Sequence, residues 1–208
     1  FESPEIIFGS GSLSQVGLCA ARLGGERVLV VTDPGVAAAG WLDAALACLR
    51  AEDLKYAVFD DVVTNPRDHQ VVRGTEFYKQ ENCDVIVALG GGSPMDVAKA
   101  IAVLAANPGE LMDYVGCNLV GRPIPPLVCV PTTAGTGSDV SQFAVIADDQ
   151  KKVKLTILSR AIMADISLID PKLLHTKSAE LIAATGMDAL THAIEAYVSS
   201  LAWPLTDP

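Results

Sequence analysis

An α/β fold, a parallel sheet flanked by helices, is what this sequence predicts, and two observations carry the prediction. Up to about residue 170, short apolar runs rich in β-branched residues alternate with segments whose apolar residues recur at helical spacing, the signature of strand–helix–strand units. Half of the 208 residues are hydrophobic and 19% are charged, enough apolar content to cover both faces of such a sheet.

The elements follow in order. "RVLVVTD", closing at Asp33, is a continuous apolar run of strand length, and "GWLDAALACLRAE" spaces its apolar residues as one helix face. "KYAVFDDV" predicts the next strand and "RDHQVVRGTEFYKQEN" the next helix. "DVIVALGGGSPMDVAKAIAVLAA" then combines a strand, a three-glycine turn and a helix, with Pro94 close to the helix start, where its missing N–H costs nothing. After the connector "GRPIPP", the strand "LVCVP" leads into a small-residue loop, "TTAGTGSDVS", and further strands are predicted at "QFAVIAD", "VKLTIL" and "ISLIDP". From Ser178 to about Ser200 the pattern turns helical, which puts a change of composition near residues 170 to 178.

Charge and cysteine usage narrow the function classes. A net charge of −10 repels nucleic acid and anionic membrane at long range, so neither is an expected partner and a small molecule is. Cys19, Cys48, Cys83, Cys117 and Cys129 are scattered with no CxxC pair, which predicts small buried thiols in a reducing cytoplasm and not a disulfide framework or zinc ribbon. No signal peptide or membrane-length apolar run is read in the sequence.

Two loops carry the chemistry. Gly90-Gly91-Gly92 with Ser93 joins a strand end to a helix N-terminus, where free N–H groups and the dipole attract phosphate and glycines leave it room. The same glycines also suit a plain tight turn. The second loop sets Thr132, Thr133, Thr136 and Ser138 around two glycines at the end of another strand, and ligands in open α/β sheets bind at the strands' carboxyl ends. Together the loops predict nucleotide binding. Asp33, just after the first strong strand, has two readings: acceptor for a ribose hydroxyl, or a turn-opening Asp before Pro34. On the last helix, Asp188 and His192 stand four residues apart in "GMDALTHAIEAY" and share a face, as two ligands of a divalent metal would. A complete site needs at least one more ligand from elsewhere.

"GGGSPMDVAKA", "PTTAGTGSDVS" and "LIAATGMDALTHAIEAY", in this order and spacing, resemble the iron-containing (group III) alcohol dehydrogenases from about Phe8 to Pro208. The resemblance implies a Rossmann-like N-terminal dinucleotide-binding α/β domain, residues 1–177, followed by the start of an all-helical C-terminal domain, residues 178–208, that is largely missing from this chain. It implies NAD(H) as cofactor, a divalent metal, Fe²⁺ before Zn²⁺, a small primary alcohol or aldehyde substrate, a cytoplasmic location and a homo-oligomer, most simply a dimer. Asp188 and His192 match the first two metal ligands and so the catalytic centre. Asp33, Gly91, Gly92, Ser93, Thr132, Thr133 and Thr136 match cofactor contacts, and by resemblance Asn65, Ser138, Val140 and Lys154 also face the nucleotide. Ser178 departs from the family pattern, which usually has Pro there, but serine also caps helices.

The resemblance further implies two more metal-binding histidines beyond residue 208, in proteins roughly twice this length. His69 reads as a solvated surface residue. His175 lies in a loop that by resemblance passes near the cofactor, and Glu195 shares the helix face of His192 without matching a ligand position. Two other readings stay open: a glycerol-dehydrogenase-like or dehydroquinate-synthase-like member of the same superfamily, which "GMDALTHAIEAY" disfavours, and a nucleotide-binding fragment without catalysis.

Overall fold

The buried apolar runs become strands, and the helical patterns become the helices that cover them. The computed structural model describes residues 3–200. In chain order the elements are β1 (Glu5–Phe8), α1 (Val16–Arg22), β2 (Arg27–Val31), α2 (Pro34–Ala38), α3 (Trp41–Ala51), β3 (Lys55–Phe59), α4 (Asp68–Gln80), β4 (Val85–Gly90) and α5 (Gly92–Ala106). They continue with β5 (Gly116–Cys117), β6 (Leu127–Pro131), β7 (Phe143–Ala147), β8 (Lys154–Leu158), β9 (Ile166–Ile169) and α6 (Ala179–Val198).

Six strands form a parallel sheet in the order β1-β9-β6-β4-β2-β3, giving the Rossmann-like α/β architecture. Central β4 reads VIVALG and is buried along its whole length, as a strand sandwiched by helices must be. Alternate residues serve opposite faces. Leu29, Val31, Ile86, Ala88, Leu127 and Cys129 share a core with α4 and α5, whereas Val28, Val30, Val85, Val87, Val128 and Val130 share one with α1 and α3. Each fully buried Val, Leu or Ile contributes roughly 1.5–3 kcal/mol relative to exposure. Cys19, Cys83 and Cys129 are buried in these cores as free thiols, Cys48 is partly covered and Cys117 is exposed. Burial pushes the Cys83 thiol up to about 11 and Cys129 to about 12, so neither supplies a thiolate at neutral pH.

Two features differ from the sequence expectation of one parallel sheet. Strands β7 and β8 pair antiparallel and join β5 in a separate three-stranded sheet. Their burial alternates along the strand, the mark of a sheet covered on one face only, and a short connection around Lys152 permits the antiparallel return. Strand β1 was not evident as an element because its partner is remote: Glu5 aligns with Ile166.

Helix α6 begins where the pattern predicted. The Ser178 hydroxyl accepts from the Leu181 N–H at 3.2 Å, so serine does cap this helix. No residue of α6 is buried, and Leu181, Ile182, Leu190 and Ile194 are 41%, 48%, 51% and 53% exposed. A face of this kind promotes association. The 208-residue chain is expected to self-associate with rising concentration, and Leu190→Glu with Ile194→Glu to suppress it. Sedimentation velocity checks this; identical profiles for the two proteins would count against the face as the cause. Among the described residues, no helix is long and apolar enough to cross a membrane.

Candidate active site at the carboxyl ends of the strands

The chain runs from β2 outward to β3, and then places β4 on the other side of β2. Strands β2 and β4 therefore flank the point where the winding reverses, and ligands in open α/β sheets bind in the crevice outside such strand ends. Asp33 follows β2 and Gly91 follows β4. The Thr32 hydroxyl donates to the Leu89 carbonyl at 2.8 Å and ties the two ends together. Asp33 shows the turn-opening contact of its two sequence readings. Its Oδ1 accepts from the Val36 N–H at 3.0 Å, capping α2, while its Oδ2 lies 3.3 Å from where a Cβ on Gly90 would sit.

At the glycine turn, Gly91 precedes α5 with φ −83° and makes no side-chain cap, so the first N–H groups of a 15-residue helix have no side chain satisfying them. With φ negative, what glycine supplies here is space. A Cβ on Gly91 would lie 3.1 Å from Thr133 Oγ1, and one on Gly92 would lie 3.0 Å from Thr136 Cγ2, so the two loops converge. Thr132, fully buried, donates its N–H to the Gly90 carbonyl at 2.8 Å, yet its hydroxyl finds no partner among the described residues. An orphaned buried hydroxyl beside a glycine cradle at a helix N-terminus fits a bound phosphate.

Beyond this turn opens a cleft of about 890 Å³. Of the residues singled out in the sequence, Asn65, Gly92, Ser93, Thr136, Ser138, Lys154, Asp188 and His192 line it. Gly91 and Thr133, which pack against each other, do not line it, Thr132 is buried, and Asp33 follows β2. Val140 is 40% exposed and does not line the cleft. Asn65 adopts a φ of +55°, a left-handed conformation that Asn tolerates.

Helix α6 reaches this cleft through one close approach. A Cβ on Gly135 would sit 2.5 Å from the Thr185 carbonyl, so the helix backbone rests on the threonine loop and the next turn projects over the cleft. There Asp188 Oδ1 and His192 Nε2 are 3.6 Å apart, both partly open to solvent. Two donors on one helix face fit half of a divalent-metal ligand set. Neither His175, exposed in the 3₁₀ turn Pro171–Thr176, nor Glu195 lines this cleft.

His69 is exposed, as expected, but not free: its Nδ1 lies 3.0 Å from Asp149 Oδ2. Asp68, His69 and Asp149 offer ligand atoms within 4.8 Å of one another. Arg67 and Lys152 already pair with Asp149, so the trio reads as a charge-balanced tie between α4 and the turn joining β7 to β8.

Two residues escaped the sequence reading. Asp96 lines the cleft, with Oδ1 accepting from Ser138 Oγ at 2.7 Å and Oδ2 from the Val145 N–H at 3.1 Å. Burial pushes its carboxyl up, against these bonds and the charge of Lys99. Lys99 is completely buried and donates to the carbonyls of Ser138, Ser141 and Phe143 at 2.5, 2.7 and 2.9 Å. The signal was present: "DVAKAIAVLAA" sets two charges three residues apart in an otherwise apolar helix.

Comparison with known proteins adds to this geometry. The profile of the family described as "Iron-containing alcohol dehydrogenase" matches residues 3–171, and that of "Fe-containing alcohol dehydrogenase family, C-terminal" matches residues 182–208. The chain is 42% identical over 207 residues to the NAD-dependent methanol dehydrogenase of Bacillus methanolicus, covering 100% of this chain and 54% of that protein. It is 45% identical over 202 residues to the 1,3-propanediol dehydrogenase of Citrobacter freundii, covering 96% of this chain and 52% of that protein. A crystal structure of a 1,3-propanediol oxidoreductase superposes with a TM-score of 0.97 at 43% identity, over 100% of this chain and 55% of that one. The chain thus spans about half the length of the curated relatives it matches.

Proposed function

Because this chain belongs to the iron-containing alcohol dehydrogenase family, we propose that its cleft holds NAD(H) beside one divalent cation, Fe²⁺ before Zn²⁺, and that the protein interconverts small primary alcohols and aldehydes. The observation that carries this reading is the meeting, in one cleft, of a glycine-and-threonine cradle with the Asp188–His192 pair.

Each residue has a task in it. The N-terminal N–H groups of α5 take the pyrophosphate, which passes over Gly91 and Gly92, and the hydroxyls of Thr132, Thr133 and Thr136 complete its hydrogen bonds, while Ser138, whose hydroxyl proton goes to Asp96, faces the nucleotide as part of the cleft wall. Asp33 Oδ2 accepts from a ribose hydroxyl and repels a 2′-phosphate. Asn65 and Lys154 line the same cleft and face the nucleotide. Asp188 and His192 hold the cation, by a carboxylate oxygen and a ring nitrogen. When bound, the nicotinamide supplies a hydride acceptor and the cation the positive charge that eases loss of the alcohol's proton. In this reading residues 1–177 form the nucleotide domain, and α6 belongs to a second, helical one.

Titration of the 208-residue chain is expected to show NADH binding more tightly than NADPH. Equal or tighter NADPH binding removes the Asp33 role alone. Specific activity on a panel of primary alcohols, propanediol and lactaldehyde, with a metal-replete chain that carries the second half its relatives possess, names the substrate. Inactivity on the whole panel would favour the lyase-like or non-catalytic readings.

A further inference from the structure

Lys99 is the largest fully buried side chain among the described residues, and burial pulls its amine's pKa down against the pull of Cys129, Asp96 and Asp139. It stands two turns into α5, the helix whose first residue is Gly92. Burying an ammonium costs several kcal/mol unless hydrogen bonds and opposite charge compensate. Here the compensation comes from one stretch of chain: its three acceptors are the Ser138, Ser141 and Phe143 carbonyls, in a segment with no strand or helix ladder before Phe143. Asp96, one turn earlier, seizes the same stretch from the side by accepting from Ser138 Oγ and the Val145 N–H. Asp139, also buried, is tethered by the Ser167 hydroxyl at 2.7 Å. All three residues whose carbonyls Lys99 holds line the cleft, together with Asp188 and His192.

An ordinary turn would satisfy these carbonyls with local N–H groups or water. A lysine brought from the core to hold three of them fixes where the segment lies, because the donors of one tetrahedral ammonium permit few alternative arrangements. We propose that Lys99 is a positioning residue: without touching any ligand, it clamps residues 138–143 as the wall of the nicotinamide end of the cleft. The assignment to that end rests on the dinucleotide reading above, with Asp33 at the β2 side serving the adenosine half and Asp188 and His192 marking the reacting end. A helix that presents its N-terminus to phosphate and its lysine to the facing wall sets the spacing between the two halves of the site.

The test separates this role from bulk stability. Lys99→Met keeps the stem and removes the ammonium. It is expected to weaken NADH binding about tenfold, the low end of what charge-assisted hydrogen bonds are worth, and to leave AMP binding unchanged. Amide exchange should accelerate in residues 138–145 and not in β6. Ile101→Ala, a core truncation on the same helix that leaves the ammonium intact, destabilises the chain and should keep NADH affinity. Wild-type NADH affinity in Lys99→Met overturns the proposal, as does a parallel loss of NADH and AMP binding. Should Lys99→Met not fold, Lys99→Gln, which keeps one neutral donor, takes its place: weakened NADH binding with AMP binding intact supports the clamp, and wild-type NADH affinity refutes it. A wild-type chain that binds neither nucleotide refutes the dinucleotide reading, while the exchange measurements still test the clamp.

Discussion

Gly92→Val is expected to abolish NAD(H) binding in a chain that still folds. A Cβ at this position already meets Thr136 at 3.0 Å for Cγ2 and 3.3 Å for Oγ1, and the two methyl groups of valine would fill the space between the glycine turn and the threonine loop. Gly92 lies inside α5, which begins there, and its φ is not in the left-handed region, so backbone strain is small and the burden falls on the ligand. A phosphate kept from the helix N-terminus loses about two charge-assisted hydrogen bonds at roughly 1.5 kcal/mol each, or about a hundredfold or more in affinity. Fluorescence titration with NADH beside a thermal melt measures both halves of the expectation. Unchanged affinity in the valine variant would remove the phosphate-cradle assignment, whatever binds elsewhere in the cleft.

In a chain that carries the second half its relatives possess, Asp188→Asn and His192→Ala should each cost metal and turnover together, while NADH binding survives. The two side chains stand on α6, and the glycine cradle is built by α5 and the loop after β6, so the sites share a cleft without sharing residues. Loss of a direct ligand should lower metal affinity by more than the roughly 10–100-fold seen when a residue that merely orients a ligand is removed. Elemental analysis with steady-state kinetics checks this. The 208-residue chain, with two donors 3.6 Å apart in the cleft, should hold Fe²⁺ or Zn²⁺ weakly. A tightly bound stoichiometric metal in that chain would mean that Glu195, His175 or a neighbouring copy completes the set, and the two-ligand account would be wrong.

Asp33 illustrates how far a local pattern reaches. A carboxylate after a strand and before Pro34 suits either a turn opening or a ribose contact, and the structure commits one oxygen, Oδ1, to opening α2 and leaves Oδ2 near Gly90. The sequence left that choice open because a side chain with two acceptors need not choose. His69 is the reverse case. Exposure was legible from its place at a polar helix start, but its pairing with Asp149 was not, because the partner arrives from a turn some eighty residues onward.

What the sequence by itself determined is the set of features whose physics is local. Continuous apolar runs specify buried parallel strands, helical spacing specifies α3 to α6, a serine before α6 specifies its cap, and a glycine cluster after a strand specifies open donors at a helix start. Spacing of four residues placed Asp188 and His192 side by side. Only the tertiary structure decided the rest, because it depends on contacts between residues far apart in sequence. Strand β1 exists by pairing with β9. Strands β7 and β8 leave the main sheet because one of their faces is not covered, and Gly135 needs to be glycine because Thr185 lies against it. The destination of the Lys99 ammonium was equally invisible, since its three acceptors belong to a segment about forty residues downstream, and only folding brings a buried charge to the carbonyls that make its burial tolerable.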